Sequence, residues 1–249
     1  MEIKNLVTKL NALQFEYAFY YSTMREEPIF KANQTLFRSA SIIKIPILLA
    51  WIELEKSGGV SRLNLCDLDG ETPVGGAGFA EQFATRKIAF ADVLLMMIAN
   101  SDNLCTNLII KEIGLERLQR VMTTSLGLKN TRLERKLMDY AARERGLDNY
   151  IDARECIRFY DLISHLEPND RNWVRSILLA NTDGALLMRS IPRDTVNFFH
   201  KTGSIDGVLH DWGFTDQCNV FLLTQKVTDE PAVFELFGEL GRACLMTEN

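Results

Sequence analysis

Residues 42–52 read Ile-Ile-Lys-Ile-Pro-Ile-Leu-Leu-Ala-Trp-Ile, an apolar run that carries a single charge, Lys44. Read as a helix, the run is apolar on all sides, and a helix apolar all round is buried. The chain must therefore fold around it and must also account for a lysine placed inside it. Ser41 stands three residues before Lys44, one helical turn away on the same face. A serine is a poor nucleophile at its free pKa. A lysine in an apolar wall has its charged form disfavoured and can act as the base that serine needs. Ser41 is accordingly read as a catalytic nucleophile. Taken alone Ser-x-x-Lys is weak, since such a pair is expected by chance about once in a chain of this length. The alternative is a helix N-cap serine beside a solvated lysine.

At 249 residues the chain has room for one large domain or two lobes sharing an interface. Its 47% apolar and 24% charged content is that of an ordinary soluble globular protein. A net charge of -5 argues against nucleic acid or an anionic membrane surface as the main partner. Cys66, Cys105, Cys156, Cys218 and Cys244 are widely spaced, odd in number and include no Cys-x-x-Cys pair. They read as free thiols in a reducing compartment, not as a disulfide framework or a zinc site. The N-terminus shows no apolar signal-peptide core, and the longest apolar stretches are too short to span a bilayer. As it stands the sequence reads as cytoplasmic; a chain trimmed of its signal, hence periplasmic or secreted, would look the same. No cofactor or metal is expected, because His165, His200 and His210 lack ligand spacing.

Residues 1–13 show helical periodicity, Phe15 to Tyr21 is aromatic and strand-like, and Pro28 to Lys31 suggests a shorter strand. After the Ser41 helix, Ser57-Gly58-Gly59 is a glycine stop, and the glycine-rich stretch from Gly70 to Gly78 is a loop. Helical pattern runs from Ala89 to about Leu118, broken around Asn100 to Asn103. An irregular segment, 124–149, precedes helices over 152–166 and 172–180. Thr195 to His200 alternates like a strand, Thr202 to Gly207 reads as a turn, and Val220 to Thr224 as another strand. A last amphipathic helix covers about 231–245. Strands at both ends and helices between them predict an α+β fold. Its antiparallel sheet would be formed from both chain ends and packed with the terminal helices, with an all-helical lobe inserted. The lobes would be 1–38 with 190–249, and 39–189, with the active site at their interface.

Two further motifs accompany Ser-x-x-Lys. Ser101-Asp102-Asn103 interrupts two helical stretches, a rigid place from which to present a hydroxyl and an amide; read blandly, it is a helix-capping turn. Lys201-Thr202-Gly203-Ser204 follows the strand ending at His200. A lysine there can place positive charge near a carboxylate, and a glycine lets a substrate backbone approach closely. Lys56-Ser57-Gly58 has the same pattern, but it lies roughly 22 Å along the helix from Ser41 and reads as a C-cap.

In this order the three motifs are strong together, and the chain resembles a class A β-lactamase over nearly its whole length. The stretch from Met96 to Ile110 is similar to that family's central helix pair. Asn181 to Leu186 and Ile191-Pro192 also match its order and spacing. The resemblance implies that Ser41 is acylated, that Lys44 is the base or proton relay, and that Ser101 passes a proton to the leaving nitrogen. It implies that Asn103 holds the substrate's side-chain amide and that Lys201 and Thr202 meet its carboxylate. The backbone N–H groups of Ser41 and Ser204 would form the oxyanion hole.

Two departures accompany the likeness. The family carries a glutamate that activates the deacylating water on a loop after the Ser-Asp-Asn helices. Anchored on Thr131, Leu133 and Arg135, that position falls on Leu137, with Arg135 and Asp148 left to make the loop-closing ion pair. Glu134 and Asp139 are near but out of register; Asp139 would serve only in a reshaped loop. The family also commonly places an arginine on the strand after Lys-Thr-Gly, where this chain has Leu209 or His210. Carboxylate binding would then rest on Lys201, Thr202 and Ser204. The expected function is a serine hydrolase acting on a small-molecule substrate, a β-lactam or a related amide or ester. A penicillin-binding-type protein or esterase with slow deacylation, and a non-catalytic binding or sensing module, are the alternatives.

Overall fold

The central sheet is assembled from residues far apart in sequence, as the computed structural model shows for residues 3–12, 14–192 and 194–245. In chain order the first elements are helix α1 (Ile3–Ala12), strands β1 (Glu16–Thr23), β2 (Ile29–Ala32) and β3 (Leu36–Arg38), and helix α2 (Lys44–Lys56). Strands β4 (Leu65–Asp67) and β5 (Lys87–Ala89) precede helices α3 (Phe90–Ala99), α4 (Asn103–Ile113), α5 (Leu115–Thr124) and α6 (Tyr140–Glu144). Strand β6 (Tyr150–Asp152) and helices α7 (Ala153–Ser164) and α8 (Pro168–Leu179) follow. The chain closes with β7 (Phe199–Ile205), β8 (Val208–Phe214), β9 (Cys218–Gln225) and α9 (Glu230–Leu245).

The five-stranded sheet has the order β2-β1-β9-β8-β7 and is antiparallel throughout. It is the α+β architecture expected, with both chain ends in one sheet. Alternation along β1 sorts its side chains between two cores. Tyr17, Phe19 and Tyr21 join Leu6, Leu10, Phe237 and Leu240 from α1 and α9. Ala18 and Tyr20 face the larger core, which includes Trp51, Met97, Phe159 and Trp212. Both faces are covered, so β1 is buried continuously from Tyr17 to Tyr21. Tyr160 of α7 ties the helices to the sheet: its ring stacks on Trp212 at 4.5 Å and its hydroxyl donates to the Val220 carbonyl at 2.8 Å. The short pair β3–β6 places Arg38 opposite Tyr150, just before Ser41.

The largest departure from the sequence reading lies in the last third. The strand read at 195–200 runs instead from Phe199 to Ile205, so Lys201 to Ser204 lie within it and the turn is confined to 206–207. Strand β8 (Val208–Phe214) is implied only by the resemblance, which puts a strand at Leu209 and His210, and by no pattern in the residues. It hides His210 and Asp211, both 0% exposed, and a strand with buried polar residues shows no alternation to read. All five cysteines are buried. Among the described residues no helix is long and apolar enough to cross a membrane.

Candidate active site

Ser41 sits in a short 3-10 turn, Ala40–Ile43, that runs straight into α2. The turn keeps the hydroxyl over the first residue of the helix, and Lys44 Nζ lies 3.0 Å from Ser41 Oγ. Three non-glycine residues around this point have positive φ: Ala40 (42°), Ser101 (56°) and Met138 (62°). Such backbone conformations persist only where the surroundings over-determine them, and they cluster at functional sites.

Lys44 is wholly buried, as the apolar run demanded. Its Nζ also lies 2.6 Å from the Ser101 carbonyl, 2.9 Å from Asn103 Oδ1 and 3.0 Å from Ser101 Oγ. Burial first, and then the positive charge of Lys201, push its pKa well below that of a free lysine, against the partial opposition of Asp102. A neutral amine has two N–H groups and one lone pair. The Ser101 carbonyl and Asn103 Oδ1 are pure acceptors and take both N–H groups, which leaves the lone pair facing the serine hydroxyls. Lys201, also wholly buried, donates to Ser101 Oγ at 3.1 Å and to the Thr202 carbonyl at 2.8 Å. Burial lowers its pKa to about 8, with Asp183 and Asp211 offsetting part of the effect. Ser101 Oγ thus bridges the two buried lysines.

Asp102 faces away from this cluster and builds its floor. Oδ1 caps α4 through the N–H of Cys105 at 2.9 Å, and Oδ2 accepts from the N–H groups of Phe79 and Ala80 at 2.8 Å each. The glycine-rich loop is thereby fastened to the Ser101 turn. Asn103 adds a bond from Nδ2 to the Gly75 carbonyl at 2.9 Å, so this amide reaches both Lys44 and the loop.

Gly203 lies directly beside the Ser41 turn: a Cβ there would stand 2.8 Å from Ser41 N. Ser204 is exposed next to it and lines, with Ser41 and Asn103, a cleft of about 470 Å³. Thr202 meets the cluster through its carbonyl. The structure therefore gathers Ser41, Lys44, Ser101, Asn103 and Lys201 into one network and sets Thr202, Gly203 and Ser204 along its edge. Lys56, the decoy, ends α2 and is followed by the C-cap Ser57.

Leu137 forms part of the cleft wall, and its side chain belongs to the larger core. Its backbone pairs with the side chain of Asn107, a residue the sequence reading passed over. Its position four residues beyond Asn103 on the same helical face was the available signal. The Arg135–Asp148 ion pair is present at 2.6 Å. The two neighbouring carboxylates are occupied elsewhere. Asp139 caps α6 through the Ala142 N–H at 2.9 Å, and Glu134 lies at the Asp148 N–H, 3.4 Å away. His210 is neutral, since burial lowers its pKa to about 4 against hydrogen bonds to Arg38 and Leu209. Its Nε2 lies 2.8 Å from the Arg38 carbonyl, and its Nδ1 lies 2.9 Å from the Leu209 carbonyl and 3.1 Å from the Thr224 nitrogen. No cation therefore replaces an arginine at that point. Among the described residues no group of acidic, histidine or cysteine side chains is arranged to hold a metal.

The sequence matches the model of the β-lactamase enzyme family over residues 1–247. No curated protein sequence matches it. Among solved structures, a β-lactamase from Sphaerobacter thermophilus is similar at 21% identity and TM-score 0.86, covering 99% of this chain and 97% of that one. A leucine-to-glutamate variant of PBP-A, solved as its acyl-enzyme complex with penicillin G, is similar at 21% identity and TM-score 0.83, covering 99% and 94%. An ancestral class A β-lactamase is similar at 20% identity and TM-score 0.82, covering 98% of each chain. At these identities the structural likeness is one of fold.

Proposed function

The chain belongs to the β-lactamase enzyme family, and from that premise we propose an active-site-serine hydrolase acylated on Ser41 by β-lactams or related amides and esters. The observation that carries the reading is the Ser41–Lys44–Ser101 arrangement, in which Lys44 Nζ lies 3.0 Å from each hydroxyl oxygen. In this reading the site lies between a sheet lobe, 1–38 with 190–249, and a helical lobe, 39–189.

Lys44, whose charged form burial disfavours, takes the proton from Ser41 Oγ as that oxygen attacks the substrate carbonyl. The N–H groups of Ser41 and Ser204 receive the charge that develops on the carbonyl oxygen. When the C–N bond breaks, the proton travels from Lys44 through Ser101 Oγ to the leaving nitrogen. Lys201, with a pKa of about 8, is mostly charged at neutral pH and meets the substrate carboxylate with Thr202 and Ser204. Asn103 holds the amide of the acyl side chain.

Hydrolysis of the ester needs a base for water, and Leu137 favours slow turnover of a penicillin-binding kind. Of the carboxylates lining the cleft, Asp148 is held by arginines and Asp206 is exposed on the turn after β7. PBP-A, a protein of this fold, was itself solved as an acyl-enzyme after a leucine was changed to glutamate.

A chromogenic cephalosporin, followed for colour and intact mass together, tests the proposal. A stoichiometric burst with a persistent adduct on Ser41 supports acylation with slow release, and steady colour supports full turnover. Absence of any adduct or turnover with cephalosporin, penicillin and simple esters refutes it, as does activity that survives Ser41→Ala.

A further inference from the structure

Three guanidinium groups converge on one carboxylate in the wall of the cleft. Asp148 Oδ1 accepts from Arg135 Nη2 at 2.6 Å and Nε at 2.9 Å, and from the Asn149 N–H at 2.9 Å. Asp148 Oδ2 accepts from Arg38 Nε at 3.2 Å and faces Arg143 Nε at 3.8 Å. Burial alone would raise the Asp148 carboxyl, but the Asn149 N–H, Arg135 and Arg38 hold it below the usual carboxylate range. With Glu134 Oε2 3.4 Å from the Asp148 N–H, two carboxylates stand against three guanidinium groups. Arg135 spends its donors on Asp148 and on the Lys136 carbonyl at 3.0 Å. Arg38 and Arg143 do not: among the described residues the Nη groups of both meet no acceptor.

Arg38 and Arg143 line the same cleft as Ser41 and Ser204. Arg38 is rigidly placed, with its N–H on Gln225 Oε1 at 3.1 Å and its carbonyl on His210 Nε2 at 2.8 Å. Asp206, the other acidic residue on the cleft, is exposed on the turn after β7. Guanidinium forks with spare N–H groups match planar anions bidentately. Lys201 is not among the residues that line this cleft and turns its donors to Ser101 Oγ and the Thr202 carbonyl, so an anion on these arginines is distinct from the one that Lys201 meets.

We propose that Arg38 and Arg143 form a second anion site, which selects substrates carrying a carboxylate on the acyl side of the bond that Ser41 attacks. The proposal rests on the acyl-enzyme reading for which side of the substrate lies here. Recognition of the anion itself does not depend on turnover.

The test uses two penicillins, one with a 5-carboxypentanoyl side chain and one with its ω-methyl ester, so both keep the ring carboxylate. Binding to Ser41→Ala protein is measured by calorimetry at neutral pH. The carboxylate is expected to bind about 10-fold tighter than the ester, the worth of one charge-assisted contact. Adding Arg143→Gln, at a half-exposed position, brings that ratio toward one, and Arg38→Gln does the same. Equal affinities, no measurable binding of the carboxylate, or a ratio indifferent to both substitutions overturns the proposal. Intact mass of the unmutated protein with the same two compounds reports separately on acylation. A carboxylate preference in binding without any Ser41 adduct would leave the anion site standing and sink the catalytic reading.

Discussion

Asn107 and Leu137 form a closed pair: Asn107 Nδ2 donates to the Leu137 carbonyl at 3.1 Å, and Asn107 Oδ1 accepts from the Leu137 N–H at 2.8 Å. Asn107 lies one turn beyond Asn103 on α4, so the helix that presents Asn103 to Lys44 also fixes residue 137 on the cleft wall. The Arg135–Asp148 ion pair anchors the same loop two residues earlier. Both bonds to Asn107 use the backbone of residue 137, so its side chain can change while its position is kept.

Replacing Leu137 by glutamate should therefore put a carboxylate on the wall facing the Ser41 ester without moving the loop. A positioned general base contributes about 10²- to 10⁴-fold, and the lifetime of a penicillin adduct on Ser41 should shorten by about 10²-fold or more. The position is 9% exposed, so a carboxylate there should cost about 1–3 kcal/mol of stability. Time-resolved intact mass and urea unfolding of Leu137→Glu measure the two effects. An unchanged adduct lifetime would count against the assignment of this position.

Burial of Lys44 and Lys201 makes stability depend on pH in a definite direction. Both have folded pKa values below the 10.5 of a free lysine. Between the folded and unfolded values the unfolded chain binds more protons, so stability rises with pH and levels off above the unfolded value. For Lys201 the window is from about 8 to 10.5; for Lys44 it likewise extends well below 10.5. Each group contributes at most about 1.4 kcal/mol per pH unit. Lys44→Met should remove up to about one proton's worth of the slope that Lys44 contributes below 10.5 and abolish acylation. Urea unfolding across pH 6 to about 9 reads the slope, and a slope unchanged by the substitution would show that Lys44 is charged in the folded protein.

Asp102 and Gly78 should behave as a coupled pair. A Cβ at Gly78 would lie 2.1 Å from Asp102 Oδ2, and its φ of +91 adds strain for any L side chain. Asp102→Ala removes the acceptor of three N–H groups and should cost about 3 kcal/mol. Gly78→Ala should cost a similar amount through the clash and the strained φ. The double variant keeps the contact with Asp102 Cα, 2.4 Å from that Cβ, but its loop is no longer fastened through Phe79 and Ala80 and can move off, so it should be less destabilised than the sum, by about 1 kcal/mol or more. Additive losses in chemical denaturation would show that the Asp102 bonds are not what holds the loop against the clash.

Much of the sheet and helix order was legible because its signals are local. The helical runs in α3, α4 and α7 keep their periodicity, α2 stands out as a continuous apolar run, and glycine marks its end. The edge of the site was less legible. His210 and Asp211 are buried polar residues satisfied by partners distant in the chain, so β8 carries no alternation. The wall formed by Arg38 and Arg143 depends on the β3–β6 pairing, which joins residues 112 positions apart at Arg38 and Tyr150. Asp102 shows the limit of motif reading most directly. In sequence it is the middle of a catalytic triplet; in the fold it turns away and fastens the loop behind it.

The last prediction concerns the contact between β7 and the nucleophile turn. At Gly203 an added Cβ would meet Ser41 N at 2.8 Å, Ile42 N at 3.0 Å and Ala40 Cβ at 3.2 Å. Two of these are backbone atoms of a 3-10 turn that continues into a buried helix, so they cannot swing away as a flexible side chain would. Gly203→Ala should push strand and turn apart by a few tenths of an ångström and widen the gap between the Ser41 and Ser204 N–H groups. Loss of one well-aligned oxyanion donor costs about 10²- to 10³-fold, and a partial misalignment should slow acylation by roughly 10-fold or more. β7 is an edge strand of the sheet, free to shift outward, so the stability cost should stay below about 2 kcal/mol. Stopped-flow acylation and thermal melting of the same preparation separate the two. A variant that acylates at the original rate would mean that the width of this contact does not set the oxyanion geometry.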